Sequence, residues 1–161
     1  MSTKAPVFTA SDIPVDACIA IAAARFNSEV VDELLDGCLK RFAELGIDAG
    51  RIEVYRVPGA YELPVTALTL AKTGRFSAII CLGAVIRGET PHFEYVAGEC
   101  ARGLQQVMLQ QGLPVIFGVL TTNTEQQAWD RCGGKHGHAG LRAAEVAVEM
   151  IATLGRIRTG Q

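Results

Sequence analysis

The sequence lacks the features that mark membrane, secreted and nucleic-acid-binding proteins. The apolar run at residues 18–24, like every other in the sequence, is far shorter than the roughly 20 residues that span a bilayer, and the first residues contain no apolar core of a secretory signal. Fifteen Lys and Arg against seventeen Asp and Glu give a formal net charge of −2, so there is no basic excess. We therefore expect a cytoplasmic protein that binds neither nucleic acid nor membrane.

Cysteine pairs with C-x-x-C spacing are absent, and the number of cysteines, five, is odd. A disulfide framework or a structural zinc site is therefore not expected. Four of them have apolar neighbours and are predicted to pack as small hydrophobes: Cys18, Cys38, Cys81 and Cys100. No packing or functional role is assigned to Cys132, because it lies in a polar, glycine-rich segment. His136 and His138 have no carboxylate or cysteine pattern beside them, so no metal site is predicted.

Apolar residues, in contrast, are plentiful at 49% of 161 residues, with aromatics at only 6%. This content is enough for the core of one domain. Since no repeat, low-complexity tract or linker divides the chain, residues 1–161 are predicted to form a single domain. Residues 1–13 are predicted to be an extended arm and residues 156–161 a tail.

Short apolar runs alternate with longer segments of helical period. The predicted strands cover residues 18–24, 52–57, 78–82 and 115–120, and the predicted helices cover residues 30–45, 63–73, 91–111, 122–131 and 141–154. This alternation predicts a mainly four-stranded parallel sheet covered on both faces, a three-layer α/β/α sandwich. Residues 7–9 are predicted to add an edge strand, in this subunit or a neighbouring one. Ligands of such sheets bind beyond the carboxyl ends of the strands.

Helix ends are predicted from capping residues. Asn27 or Ser28 is expected to cap the first helix and Gly46 to end it. Thr122 and Glu125 have the spacing of a capping box, which needs no functional explanation.

The segment from Gly83 to Thr90 has the glycine spacing of a phosphate-binding P-loop, but Glu89 replaces the lysine that reaches the phosphates. Nucleoside triphosphate binding is therefore disfavoured. A simpler anion site remains, with Thr90 as helix cap, Pro91 as first helical residue, and the amides of Glu89 and Thr90 at the positive end of the helix dipole. An ordinary helix start is the equal alternative.

His92 lies in the first turn of the same helix, where the dipole disfavours an imidazolium. It is thus a candidate base beside the anion site, with a structural histidine as the alternative. Phe26 either stacks on a flat heterocycle or covers the core, and Glu62 either accepts hydrogen bonds from a ring such as a pyrimidine or is solvated. Arg131 and Lys135 can complete an anion site in their own or an adjacent subunit.

Four segments together resemble a known family: RFN at 25–27, VPGAYELP at 57–64, GAVIRGETPHFEYV at 83–96 and FGVLTTNTEQQA at 117–128. They are similar to the 6,7-dimethyl-8-ribityllumazine synthases, the penultimate enzymes of riboflavin biosynthesis, in a match over about residues 18–155. The resemblance implies a flavodoxin-like fold and a transferase. Its reaction condenses 5-amino-6-(D-ribitylamino)uracil with 3,4-dihydroxy-2-butanone 4-phosphate to give the lumazine, phosphate and water, without cofactor or metal.

The resemblance also implies the site residues. The pyrimidine and ribityl pocket would comprise Phe26, which stacks on the ring, Ala60, Tyr61, Glu62, Ala84, Val85, Ile86 and, from a neighbouring subunit, Phe117. The phosphate would be bound by the backbone of Glu89, by Thr90 and by Arg131, with His92 as the proton-transfer residue and Arg87 and Lys135 as auxiliary cations.

Assembly is a further implication, because members of this family form homopentamers and some form sixty-subunit shells. Riboflavin synthase is an additional partner that the resemblance implies. Two alternatives stay open from the residues alone: a protein that holds a flavin or lumazine without turnover, and a shell-forming assembly protein without catalysis.

Overall fold

The computed structural model describes residues 5–161, and its centre is a four-stranded parallel sheet of order β2-β1-β3-β4. The strands are β1 (Ile19–Ala24), β2 (Ile52–Val57), β3 (Ala78–Ile86) and β4 (Val115–Thr122). The helices are α1 (Ser28–Glu44), α2 (Leu63–Lys72), α3 (His92–Gln111), α4 (Glu125–Trp129) and α5 (Ala139–Thr159). The predicted α/β sandwich with a flavodoxin-like arrangement is confirmed.

Both faces of the inner strands β1 and β3 are covered, which explains their apolar sequences, whereas the edge strand β2 is largely exposed. All six residues of β1 are buried. Its odd-numbered side chains, such as Ile21, join the core under α1 and α5, and its even-numbered ones, such as Ala22, join the core under α2 and α3. No helix among the described residues is both long and apolar enough to cross a membrane.

The third strand is longer than predicted. It continues from residue 82 to Ile86 because it pairs with β4 along the whole stretch from Ile79 to Ile86, whereas its pairing with β1 stops at Leu82. Ala84 therefore belongs to a strand and not, as predicted, to a loop. β4 is extended to Thr122 by the same pairing.

One predicted cap is correct in position only, and another is wrong. Asn27 occupies the N-cap position of α1, but its side chain does not cap the helix; Nδ2 donates to the carbonyl of Ala84 at 2.8 Å instead. The capping box before α4 involves Thr124 and Gln127, because Thr122 is taken up by β4 and donates its hydroxyl hydrogen to the Thr124 carbonyl. Gly46, with φ of +84°, follows the end of α1 as predicted.

The glycine-rich segment after α4 forms a small antiparallel hairpin of β5 (Cys132–Gly134) and β6 (Gly137–His138), which runs directly into α5. Cys132 is buried, like Cys38, Cys81 and Cys100, while Cys18 is half-buried, and all five remain free thiols.

The two chain ends differ from the predicted arm and tail in detail. Residues 7–9 form no strand within this chain, and their pairing with a neighbouring subunit stays a prediction. The first four residues of the predicted arm lie outside the described residues. At the other end, α5 extends to Thr159.

Candidate active site

A cavity of about 790 Å³ lies at the carboxyl ends of β1, β2 and β3 and the beginning of α3. Its position is the switch point of the sheet, because the chain moves from β1 outward to β2 and then returns to β3 on the other side. The volume is in the range of small-molecule sites. The lining residues are Phe26, Pro58, Gly59, Ala60, Tyr61, Glu62, Ala84, Val85, Ile86, Gly88, Thr90, His92, Phe93, Tyr95 and Val96.

Phe26 stands at the mouth of this cavity with 71% of its surface exposed. Its backbone is fixed, because its N–H donates to the carbonyl of Pro58 at 3.0 Å and the preceding Arg25 N–H donates to that of Val57 at 2.7 Å. Asn27 anchors the same turn to Ala84. An exposed aromatic ring on an anchored backbone is suited to stacking on a flat ligand.

The end of β3 presents a free strand edge to the cavity. Beyond Leu82, β3 has no pairing with β1. The carbonyl of Ala84 points to this open side, since it accepts from Asn27, and the N–H of Arg87 points to the opposite side, since it donates to Thr122. Because backbone groups alternate along a strand, the N–H and carbonyl of Ile86 face the open side. A donor and an acceptor side by side match the edge of a lactam ring.

The first turn of α3 starts one residue later than predicted. Pro91 is the N-cap, with φ of −64° and ψ of 0°, and His92 is the first helical residue. Thr90 is thus not the N-cap, although its Oγ1 accepts a long hydrogen bond of 3.4 Å from the His92 N–H. The amides of Glu89 and Thr90 donate to no acceptor within residues 5–161. These donors lie beside the positive end of a 20-residue helix, an arrangement that suits an anion.

Arg87 holds this region together. Its Nη1 lies 2.6 Å from Oε1 of Glu94 on α3, its Nε donates to Oδ1 of Asn123 at 2.9 Å, and its guanidinium stacks 4.3 Å above the ring of Phe93. These contacts join the ends of β3 and β4 to the start of α3. Arg87 itself does not line the cavity.

Most of the predicted site residues meet in this cavity, but several do not. The predicted residues outside its lining are Arg87, Glu89, Phe117, Arg131 and Lys135.

Three of these residues lie elsewhere in the fold. Phe117 lies on β4 with 46% of its surface exposed. Arg131 donates from Nη1 to the carbonyl of Gln127 at 2.9 Å, and Lys135 pairs with Asp130 at 3.6 Å. One chain therefore does not bring these groups to the cavity.

Three lining residues on α3 were not predicted: Phe93, Tyr95 and Val96. The signal was present, because Tyr95 and Val96 are three and four positions after His92 and so share its helix face. Within residues 5–161 no group of three or more potential ligands is arranged to hold a metal ion.

The fold and the cavity define a class: an α/β protein with a small-molecule site at the switch point of a parallel sheet. The model of the family described as 6,7-dimethyl-8-ribityllumazine synthase matches residues 16–155. The chain therefore belongs to the 6,7-dimethyl-8-ribityllumazine synthase family.

Individual relatives agree with this assignment. The chain is 49% identical over 155 residues, 96% of each chain, to proteins named 6,7-dimethyl-8-ribityllumazine synthase from two strains of Thermus thermophilus. It is 51% identical over 137 residues to a protein of the same name from Syntrophus aciditrophicus, covering 85% of this chain and 89% of that one.

Proposed function

We propose that this protein catalyses the condensation of 5-amino-6-(D-ribitylamino)uracil with 3,4-dihydroxy-2-butanone 4-phosphate to 6,7-dimethyl-8-ribityllumazine in riboflavin biosynthesis. The observation that carries the proposal is the composition of one cavity. It combines an exposed aromatic ring, a free strand edge and a histidine beside unpaired amides at a helix start. These elements suit a pyrimidine, a phosphate and proton transfer between them.

The pyrimidine would lie between Phe26 and the free edge of β3. Stacking on the exposed ring orients its plane, and the N–H and carbonyl of Ile86 pair with a carbonyl and an N–H of the uracil edge. Ala84 and Val85 complete this wall, while Ala60, Tyr61 and Glu62 line the side where the ribityl chain would extend. Backbone groups that otherwise lack partners give this recognition its specificity.

The phosphate of the second substrate would lie at the start of α3. The amides of Glu89 and Thr90 and the hydroxyl of Thr90 are the donors, and the helix dipole adds attraction for the anion. The carboxylate of Glu89 points away from the site in this arrangement, consistent with its absence from the cavity lining. Arg87 acts on the phosphate indirectly, by holding the loop through Glu94 and Asn123.

The chemistry needs repeated proton transfer near a leaving phosphate. The pyrimidine amine adds to the ketone, and water leaves to form an imine. A proton and the phosphate are then eliminated, and the second amine attacks the remaining carbonyl and closes the ring with loss of a second water. His92 lines the cavity two residues from Thr90, so it is placed to move these protons. Holding both substrates in contact supplies much of the remaining acceleration, up to about 7–11 kcal/mol.

Two groups of the proposed site come from a second subunit. Phe117 and Arg131 lie outside the cavity of their own chain, so we propose that they close the cavity of a neighbour, with Arg131 clamping the phosphate and Lys135 adding positive charge. This requires a homo-oligomer, for which the family suggests a pentamer or a shell of pentamers. Riboflavin synthase, which would consume the product, is a further proposed partner.

Residues 1–161 would act as one domain, with the N-terminal arm joining a neighbouring sheet, and the five free thiols suit a reducing compartment such as the cytoplasm. The experiment that tests the function is to mix the purified protein with both substrates and to follow lumazine fluorescence and phosphate release. We expect both signals to grow in equal amounts. Retention of a coloured ligand with no product from the two substrates would instead identify a binding protein.

A further inference from the structure

His138 closes the first turn of α5. It is the N-cap residue of that helix, and its Nδ1 accepts a hydrogen bond from the N–H of Leu141 at 3.2 Å. Histidine is an uncommon cap, since Ser, Thr, Asp and Asn are preferred there. The ring is half-buried, so both its capping atom and its packing fix the start of α5.

The place of the ring is set by a glycine on α1. A Cβ atom on Gly37 would overlap the imidazole of His138, so only a residue without a side chain admits the ring. One helical turn earlier, the backbone of Leu34 lies so close to Gly140 that a Cβ there would overlap it as well. The start of α5 is thus seated on α1 at two successive points.

His138 also lies next to the backbone of Arg131 in the hairpin. Cys132 pairs with His138 across the β5–β6 hairpin, and the N–H of Ala139 donates to the carbonyl of Arg131 at 2.8 Å. The Arg131 side chain is held in turn by its hydrogen bond to the carbonyl of Gln127. Arg131 therefore takes its position from the base of a hairpin whose second strand ends at the capping histidine.

We infer that His138, seated over Gly37, is a positioning residue that fixes Arg131 for binding the phosphate-bearing substrate. The inference rests on the proposed function, in which Arg131 clamps that phosphate. Loss of the cap lets the first turn of α5 and the hairpin open, and Arg131 then spends part of its time away from the phosphate. The effect falls on one substrate only, because the residues assigned to the pyrimidine lie on other elements.

The test compares steady-state constants for both substrates in five single variants and one double variant. His138→Ala removes the cap, Gly37→Ala displaces the ring while His138 remains, and Arg131→Ala removes the clamp itself. His138→Asn keeps a side-chain acceptor for the Leu141 N–H. His136→Ala is the matched control, an exposed histidine on the same hairpin.

We expect His138→Ala and Gly37→Ala to raise the KM for the butanone phosphate about fivefold. This factor corresponds to the usual free energy of a lost helix cap. The KM for the pyrimidine and kcat change little, and His138→Asn and His136→Ala behave as wild type. Adding His138→Ala to Arg131→Ala has no further effect, because the two act through one group.

Three outcomes overturn the inference. One is an unchanged KM for the phosphate substrate in both His138→Ala and Gly37→Ala while Arg131→Ala raises it. Another is failure of His138→Asn to restore the constants. The third is an equal increase in KM for both substrates, which would show that His138 has only a structural role. If Arg131→Ala itself leaves this KM unchanged, the clamp in the proposed function fails first, and the inference falls with it.

Discussion

At the scale of residues, the proposed chemistry depends on the side chain of His92 and on its exposure to the cavity. It lies at the first position of α3, exposed to the cavity and close to Thr90, and its hydrogen bond to Thr90 is made through its backbone and not its ring. Such a residue contributes little to packing, so its replacement separates catalysis from stability.

We predict that His92→Ala lowers kcat by about 10²–10⁴-fold, the usual contribution of a positioned acid–base group. Its free energy of unfolding and its assembly stay within error of wild type, because no buried contact is lost. Lumazine fluorescence assays, urea unfolding and sedimentation measure the three properties. Gln105→Ala, exposed on the same helix, is the control and should keep full activity. A kcat within threefold of wild type would remove His92 from the proton-transfer role.

At the scale of elements, the sequence pattern predicted the strand boundaries that neighbouring residues in the chain determine. β2 begins and ends where predicted, since the segment is bounded by Gly50 and the turn at Pro58. β3 was predicted too short because residues 83–86 are held by pairing with β4, some 36 residues later, which no local pattern reveals. Asn27 was misassigned for the same reason, since its partner Ala84 is 57 residues away.

The contact between α1 and α5 depends on glycine at the crossing. We predict that Gly140→Ala lowers the free energy of unfolding by about 1–3 kcal/mol, because the new methyl group meets the backbone of Leu34 and the helices must separate. Gly155→Ala, on the same helix with no atom within 4 Å of the added Cβ, should raise it by about 0.5–1 kcal/mol through helix propensity. Urea unfolding of both variants measures the difference; shifts of the same sign would contradict the close crossing.

Cys38 faces the core from α1, and burial raises its pKa from 9.0 to about 12. Below pH 9 the thiol is neutral in both the folded and the unfolded chain, so its titration does not change the free energy of unfolding. Between pH 9 and 12 the unfolded chain releases the proton and the folded chain does not, so stability falls as pH rises, by about 1.4 kcal/mol at pH 10.

We therefore predict that Cys38→Ala loses less stability than wild type between pH 8 and pH 10, by about that amount. The slopes are compared and not the absolute values, because the substitution also leaves a small cavity. Urea unfolding at the two pH values measures the slopes. Cys81 and Cys100, whose thiol pKa values are also raised by burial, contribute equally to both proteins. Parallel slopes would show that Cys38 is not shielded from solvent in the folded state.

At the scale of the whole molecule, the chain presents its cavity among exposed aromatic side chains. Phe26, Tyr61 and Tyr95 are between 62% and 71% exposed around the cavity, and Phe117 is exposed on β4. Contiguous exposed aromatic surface usually marks an interface. The resemblance implied that Arg131 and Phe117 belong to the site. In the proposed function they reach it from a second chain, an arrangement that no pattern within one chain determines.

Mixing two variants distinguishes a site shared between subunits from a site within one subunit. In a closed ring each interface joins different surfaces, so His92 of one subunit would meet Arg131 of the next. Two impaired variants, His92→Ala and Arg131→Ala, should then show more activity when coexpressed or refolded together than either shows alone. With random mixing of equal amounts, roughly one quarter of the sites contain both native residues.

The control for this complementation is a mixture of His92→Ala with Thr90→Ala. Both residues line the cavity of the same chain, so every site in the mixed ring lacks one of them and activity stays at the level of the separate variants. Recovery in the first mixture and none in the second would require that Arg131 acts across the interface. If neither mixture exceeds the activity of its separate variants although mass spectrometry of the intact assemblies shows mixed rings, Arg131 serves its own chain and the shared site is wrong.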